Sequence, residues 1–302
     1  MPGGEMRQMP LSADRKLEYE ITGPDAGPAV LVHHGMPGSA LPMATITDPL
    51  TKRGYRVITY SRAGYGESTP SPGRTVADSG DDCVRLLEQL SIPRYHVFGW
   101  SGGGPHALAN AAMDPKRVAG VLISASFAPF DAPGLDFTDG MGAQNQIQFD
   151  TVATGGEQAA REIVAIMSAA ARVVESTELV DGELGSLFPD VDVAAMSTGF
   201  GTENAASIEH ALRNGNEGWI ADVTALVRPW GFDPGDIKAP VDLWHGGLDK
   251  TVPAAHGRWL AENVDGVEAY FDATHGHISL TVEKLGQMMD ASAARASRVT
   301  SM

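Results

Sequence analysis

The stretch His96-Val97-Phe98-Gly99-Trp100-Ser101-Gly102-Gly103 decides how the chain is read. It begins as an apolar run suited to a buried strand and passes, over residues 102–113, into a helical pattern that Pro115 stops. A tight strand-to-helix turn lifts a serine clear of the backbone, and the flanking glycines permit both the turn and close packing. Alone, the Ser101 hydroxyl is a weak nucleophile; here it would lie within reach of a base and a substrate. The helix start also aims unpaired N–H groups and a positive dipole end at the same place, which favours developing negative charge.

Outward from this turn, strand and helix patterns alternate. Residues 17–21 place Leu17, Tyr19 and Ile21 on one face and Glu18 and Glu20 on the other. Ala29–His33 and Val118–Ser124 are continuous apolar runs, as strands buried on both faces require. Further strands are expected over Arg56–Tyr60, 241–245 and 267–271, with helices over 78–90, Ala254–Asn263 and from 278 onward. In the first of these helices Cys83 shares an apolar stripe with Leu86, Leu87 and Leu90 and reads as a core residue. The rhythm predicts an α/β fold, a mostly parallel sheet with helices on both faces.

Composition bounds the function. No apolar run in the 302 residues is long enough to span a bilayer, and residues 1–12 do not read as a secretory leader. A single cysteine cannot form an internal disulfide, so a cytoplasmic location is expected. The net charge of −16 argues against nucleic acid or anionic membrane partners and leaves a small-molecule substrate. That charge is uneven: residues 130–235 hold 17 acidic and 4 basic residues, a net of −13, so the remainder is nearly neutral. The shift divides the chain into a core of 1–129 with 236–302 and an acidic insertion of 130–235. Within it, 158–174 aligns Ile163, Val164, Met167, Ala170, Ala171 and Val174 at helical spacing, and the glycines from Gly182 to Gly218 predict short helices joined by loops.

A serine nucleophile needs a base, an orienting acid and oxyanion donors. Asp249 lies beyond a strand end in His245-Gly-Gly-Leu-Asp249, with Asp131 as its rival, and His277 follows the last strand in His275-Gly276-His277, with His275 as its rival. The backbone N–H groups of Gly102 and of Met36, in His34-Gly35-Met36-Pro37-Gly38, are the candidate oxyanion donors, since Pro37 has no N–H. Trp100 and Met36 flank the centre and are candidate pocket residues. His33, His34, His106, His245 and His256 read as structural, and no zinc-ligand spacing occurs. Gly102-Gly103-Gly104-Pro105-His106-Ala107 matches the outline of a dinucleotide fingerprint, but the strand after it ends without the carboxylate a ribose needs. No cofactor or metal is expected.

The His34-Gly35 turn, the elbow at Ser101, the acid loop, the late histidine and the turn Ser61-Arg62-Ala63-Gly64-Tyr65-Gly66-Glu67-Ser68 together resemble the α/β-hydrolase superfamily, in which nucleophile, acid and base follow the order seen here. Many relatives carry Asp where Ser61 stands. The resemblance implies a catalytic triad of Ser101, Asp249 and His277 and a helical cap over Ser101, and the esterase and proline iminopeptidase branches are the most similar. It implies hydrolysis of a small or medium ester or related carbonyl compound. An aminopeptidase, a C–C hydrolase, lyase or perhydrolase, and a ligand receptor with little turnover share the same frame. A serine at position 101 argues against relatives that use a carboxylate nucleophile.

Overall fold

The alternating side chains of each apolar run must be covered on two sides, and the resulting sheet is the frame of the molecule. A computed structural model describes residues 6–173 and 187–300. Its eight strands are β1 (Arg7–Pro10), β2 (Lys16–Thr22), β3 (Ala29–His33), β4 (Arg56–Tyr60), β5 (Tyr95–Trp100), β6 (Val118–Ser124), β7 (Val241–Gly246) and β8 (Val267–Asp272). They pair in the order β1-β2-β4-β3-β5-β6-β7-β8; the first two pairings are antiparallel and the rest parallel. Every residue of β3 and β6 is buried, which agrees with their unbroken apolar sequence.

Period-two alternation sorts the strands' side chains into two cores. Leu31, Val97, Val121 and Leu243 face α2 (Val76–Gln89), α3 (Gly103–Met113) and a later helix, Ala254–Asn263. Val30, Val32, Phe98 and Leu122 face α1 (Ala44–Thr51) and the last helix, Ser279–Thr300. The α2 helix starts on a capping box in which Thr75 and Asp78 satisfy each other's backbone N–H groups. Neither β1 nor α1 is evident from sequence. The first is four residues ending in Pro10 and held by pairing to β2, and the second contains Pro49 and β-branched residues and lacks a side-chain cap.

Between β6 and β7 the described residues form helices and no strand: α4 (Ala143–Val173), α5 (Asp190–Ala195), a π-helical turn at Met196–Phe200, α6 (Gly201–Ala211) and α7 (Glu217–Leu226). The remaining two helices are then α8 (Ala254–Asn263) and α9 (Ser279–Thr300). The helix expected over 158–174 is the second part of α4, which breaks at Gly156, where φ is 64°. Val174, Gly182 and Gly185 lie outside the described residues. No described helix is long and apolar enough to cross a membrane.

The inserted helices are fastened to the core by specific polar contacts. Ser39 Oγ lies 2.9 Å from the Ser207 carbonyl, Gly66 N–H donates to Ala211 O at 3.0 Å, and Glu203 accepts from Thr45 N and Oγ1. Gly64, at φ 90°, has no room for a side chain because a Cβ would lie 2.7 Å from Gly218 N. Glu18, one of the two glutamates on the second face of β2, is fully buried. It accepts from Ser61 Oγ at 2.6 Å and meets His210 of α6 at 2.9 Å. Ser61 thus stands beside a carboxylate supplied by another strand.

At the centre of this seam Asp222 of α7 is buried against Arg62, at 2.7 Å, and Arg74, at 2.5 Å, with Tyr65 Oη donating to it at 2.9 Å. Burial alone would push the Asp222 carboxyl up, but the two guanidiniums hold it well below its ordinary value. Removing one member leaves the other charges stranded without water. Asp222→Ala should cost about 3–5 kcal/mol of unfolding free energy, read from urea denaturation, while Glu157→Gln, which loosens an exposed pair with Arg161, should leave the midpoint near wild type.

Candidate active site

The β5–α3 junction is as tight as its sequence requires. Ser101 adopts φ 57°, in the left-handed region that residues with a Cβ avoid. Its N–H donates to Ser124 O on β6 at 2.9 Å, and Gly104 N–H donates back to Ser101 O at 2.9 Å. A side chain at Gly99 would lie 2.6 Å from the Ala107 Cβ, and one at Gly103 would collide with the His33 carbonyl. The two outer glycines therefore let α3 pack directly on the ends of β5 and β3. The conformation turns the Ser101 hydroxyl toward the loop that precedes α9.

There the His277 Nε2 lies 2.9 Å from Ser101 Oγ, and its Nδ1 lies 2.8 Å from Asp249 Oδ2. The carboxylate fixes the tautomer: Nδ1–H donates to Asp249, leaving Nε2 to accept from the serine hydroxyl. Asp249 is held by Thr251 N–H and Val252 N–H, both at 2.8 Å to Oδ1, and His245 Nε2 approaches Oδ2 to 3.5 Å. Burial would raise the Asp249 carboxyl, but the His277 charge and the bonds from His245 and His277 bring it down to about 2. Burial would likewise lower His277, yet the Asp249 carboxylate outweighs it and raises the imidazole above its ordinary value. The pair therefore favours an imidazolium.

The rivals lie elsewhere. Asp131 is exposed, and His275 turns to Asp272 at 3.0 Å and Glu283 at 3.2 Å. A Cβ on Gly102 would touch the Met36 Cβ at 2.8 Å and lie 3.5 Å from Met36 N, so the two backbone segments meet beside Ser101. Among the described residues neither the Met36 nor the Gly102 N–H donates to a protein acceptor. The loop that carries Met36 is braced by Arg62, which donates to the His34 carbonyl at 2.6 Å and the Gly35 carbonyl at 2.9 Å. Trp100 donates its indole N–H to the His277 carbonyl at 3.2 Å and meets Phe200 edge to face.

His33, His106, His245 and His256 are buried, and desolvation lowers His33, His34, His106 and His256, the last two to about 4. His256 shows the neutral pattern directly: Nε2 lies 2.9 Å from Phe137 O, while Nδ1 accepts from Ala128 N–H. Three residues at or behind the site were not evident from sequence. Arg62 and Asp222 make a buried pair across 160 residues, and Asp192 bonds to the backbone of the His277 turn. Only Arg62 sits in a recognisable motif; the two aspartates look like any acidic residue on a polar helix.

An open, mostly apolar pocket lies beside Trp100 and the loop that follows β3. Its walls include Gly35, Pro37, Leu41, Met43, Phe98 and Trp100, with Asn204 and Ser207 from α6. Among the described residues its lining holds no carboxylate, Lys or Arg. If Asp249 governs His277 as these distances require, Asp249→Asn should bring the His277 imidazole down, because the largest opposition to burial would then be gone. Titration of the ring by NMR checks this; an unmoved midpoint would contradict it.

The model of the alpha/beta hydrolase fold matches residues 28–283. The putative carbamate hydrolase RutD of Variovorax paradoxus is 38% identical over 109 residues, which cover 35% of this chain and 41% of that protein. Proline iminopeptidase of Arabidopsis thaliana is 34% identical over 116 residues, covering 37% of this chain and 30% of that protein. The chain thus spans less than half the length of these curated relatives. The crystal structure of a hydrolase from Pseudomonas aeruginosa superposes with a TM-score of 0.67 at 22% identity, over 97% of this chain and 98% of that one. By the match of its sequence and by its sheet, the chain belongs to the α/β-hydrolase fold family.

Proposed function

We propose that the protein is a serine hydrolase that cleaves a small or medium carboxylic ester, or a related carbonyl compound, through an acyl-enzyme on Ser101. The observation that carries this reading is the continuous run Ser101 Oγ, His277 Nε2, His277 Nδ1, Asp249 Oδ2 beside two uncommitted backbone N–H groups. As Ser101 Oγ attacks the carbonyl carbon, its proton passes to His277 Nε2, and Asp249 stabilises the imidazolium. The carbonyl oxygen gains negative charge between Met36 N–H and Gly102 N–H, each such donor contributing about 3–4 kcal/mol to the transition state. His277 then protonates the departing alkoxide. Water attacks the acyl-enzyme with His277 again as base, and Ser101 leaves with its proton restored.

The insertion 130–235 acts in this reading as a cap. Its α5, π turn and α6 supply Asp192, Phe200, Asn204 and Ser207 around Trp100 and His277, and both Ser101 and His277 are buried beneath it. The mostly apolar pocket beside Trp100 would suit a neutral arm on the substrate, whereas an aminopeptidase would need a carboxylate to hold the substrate ammonium.

A screen of p-nitrophenyl esters beside aminoacyl arylamides tests this. Esters should turn over, and Ser101→Ala should lower kcat/KM by about 10,000-fold or more. Preference for the arylamides would move the protein to the peptidase branch, and equal inactivity of wild type and mutant would point to ligand binding without turnover. The sign of the pH profile follows from His277. The base must be neutral and its proton affinity is raised, so kcat/KM should fall on the acid side with a midpoint above the ordinary histidine value of 6.5. A midpoint below that value would count against His277 as the base. A cationic ester and its neutral analogue should respond alike to added salt; a steeper decline for the cation would show that the acidic insertion steers substrates.

A further inference from the structure

One buried carboxylate gathers the whole turn that carries His277. Asp192, in the first turn of α5, accepts from His277 N at 2.8 Å through Oδ2, and through Oδ1 from Ile278 N at 3.0 Å, Ser279 N at 2.8 Å and Ser279 Oγ at 2.7 Å. Ser279 Oγ accepts in turn from Gly276 N at 2.9 Å. The backbone donors are those that open α9, which a helix start leaves unpaired and which a cap residue of the same helix ordinarily takes. Here the acceptor comes from a different segment, 85 residues earlier in sequence. Gly276 makes the approach possible, because a Cβ there would overlap the Asp192 carboxylate.

Asp192 is fully buried, and no Lys or Arg pairs with it among the described residues. A buried carboxylate matched only by backbone N–H groups and one hydroxyl is costly to desolvate, and its bonds all go to the three residues His277, Ile278 and Ser279. The position just before α9 is Ile278, whose side chain cannot accept a hydrogen bond, so no local residue caps this helix from there.

We propose that Asp192 is a positioning residue for the reaction described above: it fastens the His277 turn to the inserted helices and so sets where the imidazole stands between Ser101 and Asp249. The inference rests on the reading of Ser101 and His277 as nucleophile and base. It makes seating of the insertion a condition for an aligned base, since α5 holds the histidine and the histidine holds the serine. The charges and polar groups around His277 are few. Asp249 faces Nδ1, with His245 behind it; Ser101 faces Nε2; the Trp100 indole takes the His277 carbonyl; and Asp192 lies on the backbone side. The negative charge of Asp192 acts in the same direction as that of Asp249, toward a more basic imidazole.

Two variants of the full chain separate position from charge. Asp192→Asn keeps the volume but removes the charge and replaces one acceptor by a donor that must face an N–H group. Ser279→Ala removes one bond to the carboxylate and leaves its charge. For each, the His277 ring is titrated by NMR, Ser101 is labelled with a fluorophosphonate, and kcat and KM are measured on a neutral p-nitrophenyl ester per folded molecule. Asp192→Asn should lower kcat by up to about 100-fold, as a misplaced base does, with KM near wild type and with both the ring titration and the acid limb of kcat moved to lower pH. Ser279→Ala should slow labelling severalfold with the ring titration unmoved.

Asp192→Asn with wild-type kcat and titration would overturn the proposal, and so would a variant that loses only thermal stability. If Asp192→Asn does not fold, Ser279→Ala decides: labelling at the wild-type rate overturns the proposal, and slowed labelling supports it. Failure of the underlying reading looks different. In that case wild type would not react with the fluorophosphonate, or Ser101→Ala would react equally, whatever the state of residue 192.

Discussion

A left-handed backbone at Ser101 is a conformation that costs on the order of 1–2 kcal/mol for a residue with a Cβ, and much of the molecule is arranged to hold it. The Ser124 carbonyl on the neighbouring strand takes the Ser101 N–H, so the strained residue is pinned to the centre of the sheet. The absence of side chains at Gly99 and Gly103 lets α3 close on β5 and β3. Because β3 is adjacent to β5, its following loop arrives beside the same turn and brings Met36 against Gly102. Parallel strand order thus places the hydroxyl, the two N–H groups and the loops after β7 and β8 at one end of the sheet, where the carboxyl ends of all these strands open.

The charge of the insertion takes on a different meaning in three dimensions. As a regional total of −13, it reads as a solvated face or an attractor of cations. Two of those carboxylates do neither. Asp222 is turned inward onto Arg62 and Arg74, and through Arg62 it braces the carbonyls of His34 and Gly35. Asp192 is turned inward onto the His277 turn. Each of the two loops that flank Ser101 is therefore tied to a buried acid of the insertion, one through a guanidinium and the other through backbone N–H groups. The insertion thus shapes the surroundings of both Ser101 and His277.

Most of the sheet was legible because its strands are buried on both faces, and such strands show as uninterrupted apolar runs such as Ala29–His33 and Val118–Ser124. The elbow was legible because close packing of α3 on β5 and β3 demands glycines at 99 and 103, and these frame Ser101 at a strand end. Position 249 and position 277 could be proposed from their places after strands, but Asp131 and His275 stood in similar places, and only the fold separates them. β1 and α1 were not legible, since pairing to β2 and packing on the second core, rather than local propensity, hold them. Glu18, Asp192 and Asp222 were not legible either. Their partners lie 192, 85 and 160 residues away, and sequence periodicity carries no information across such separations.

The distance of 176 residues between Ser101 and His277 also has a meaning in time. At roughly 5–20 residues per second of synthesis, the serine precedes the histidine by about 9–35 seconds. During that interval the chain has β5 and α3 but not β7, β8 or the histidine turn, so Ser101 Oγ lacks the imidazole that stands 2.9 Å from it in the finished fold. Asp192 and Asp222 are also made before His277. The inserted helices are thus synthesised before the histidine turn that Asp192 holds. On the proposed reading of Ser101 and His277, a growing chain would stay unreactive toward its surroundings until its synthesis is nearly finished.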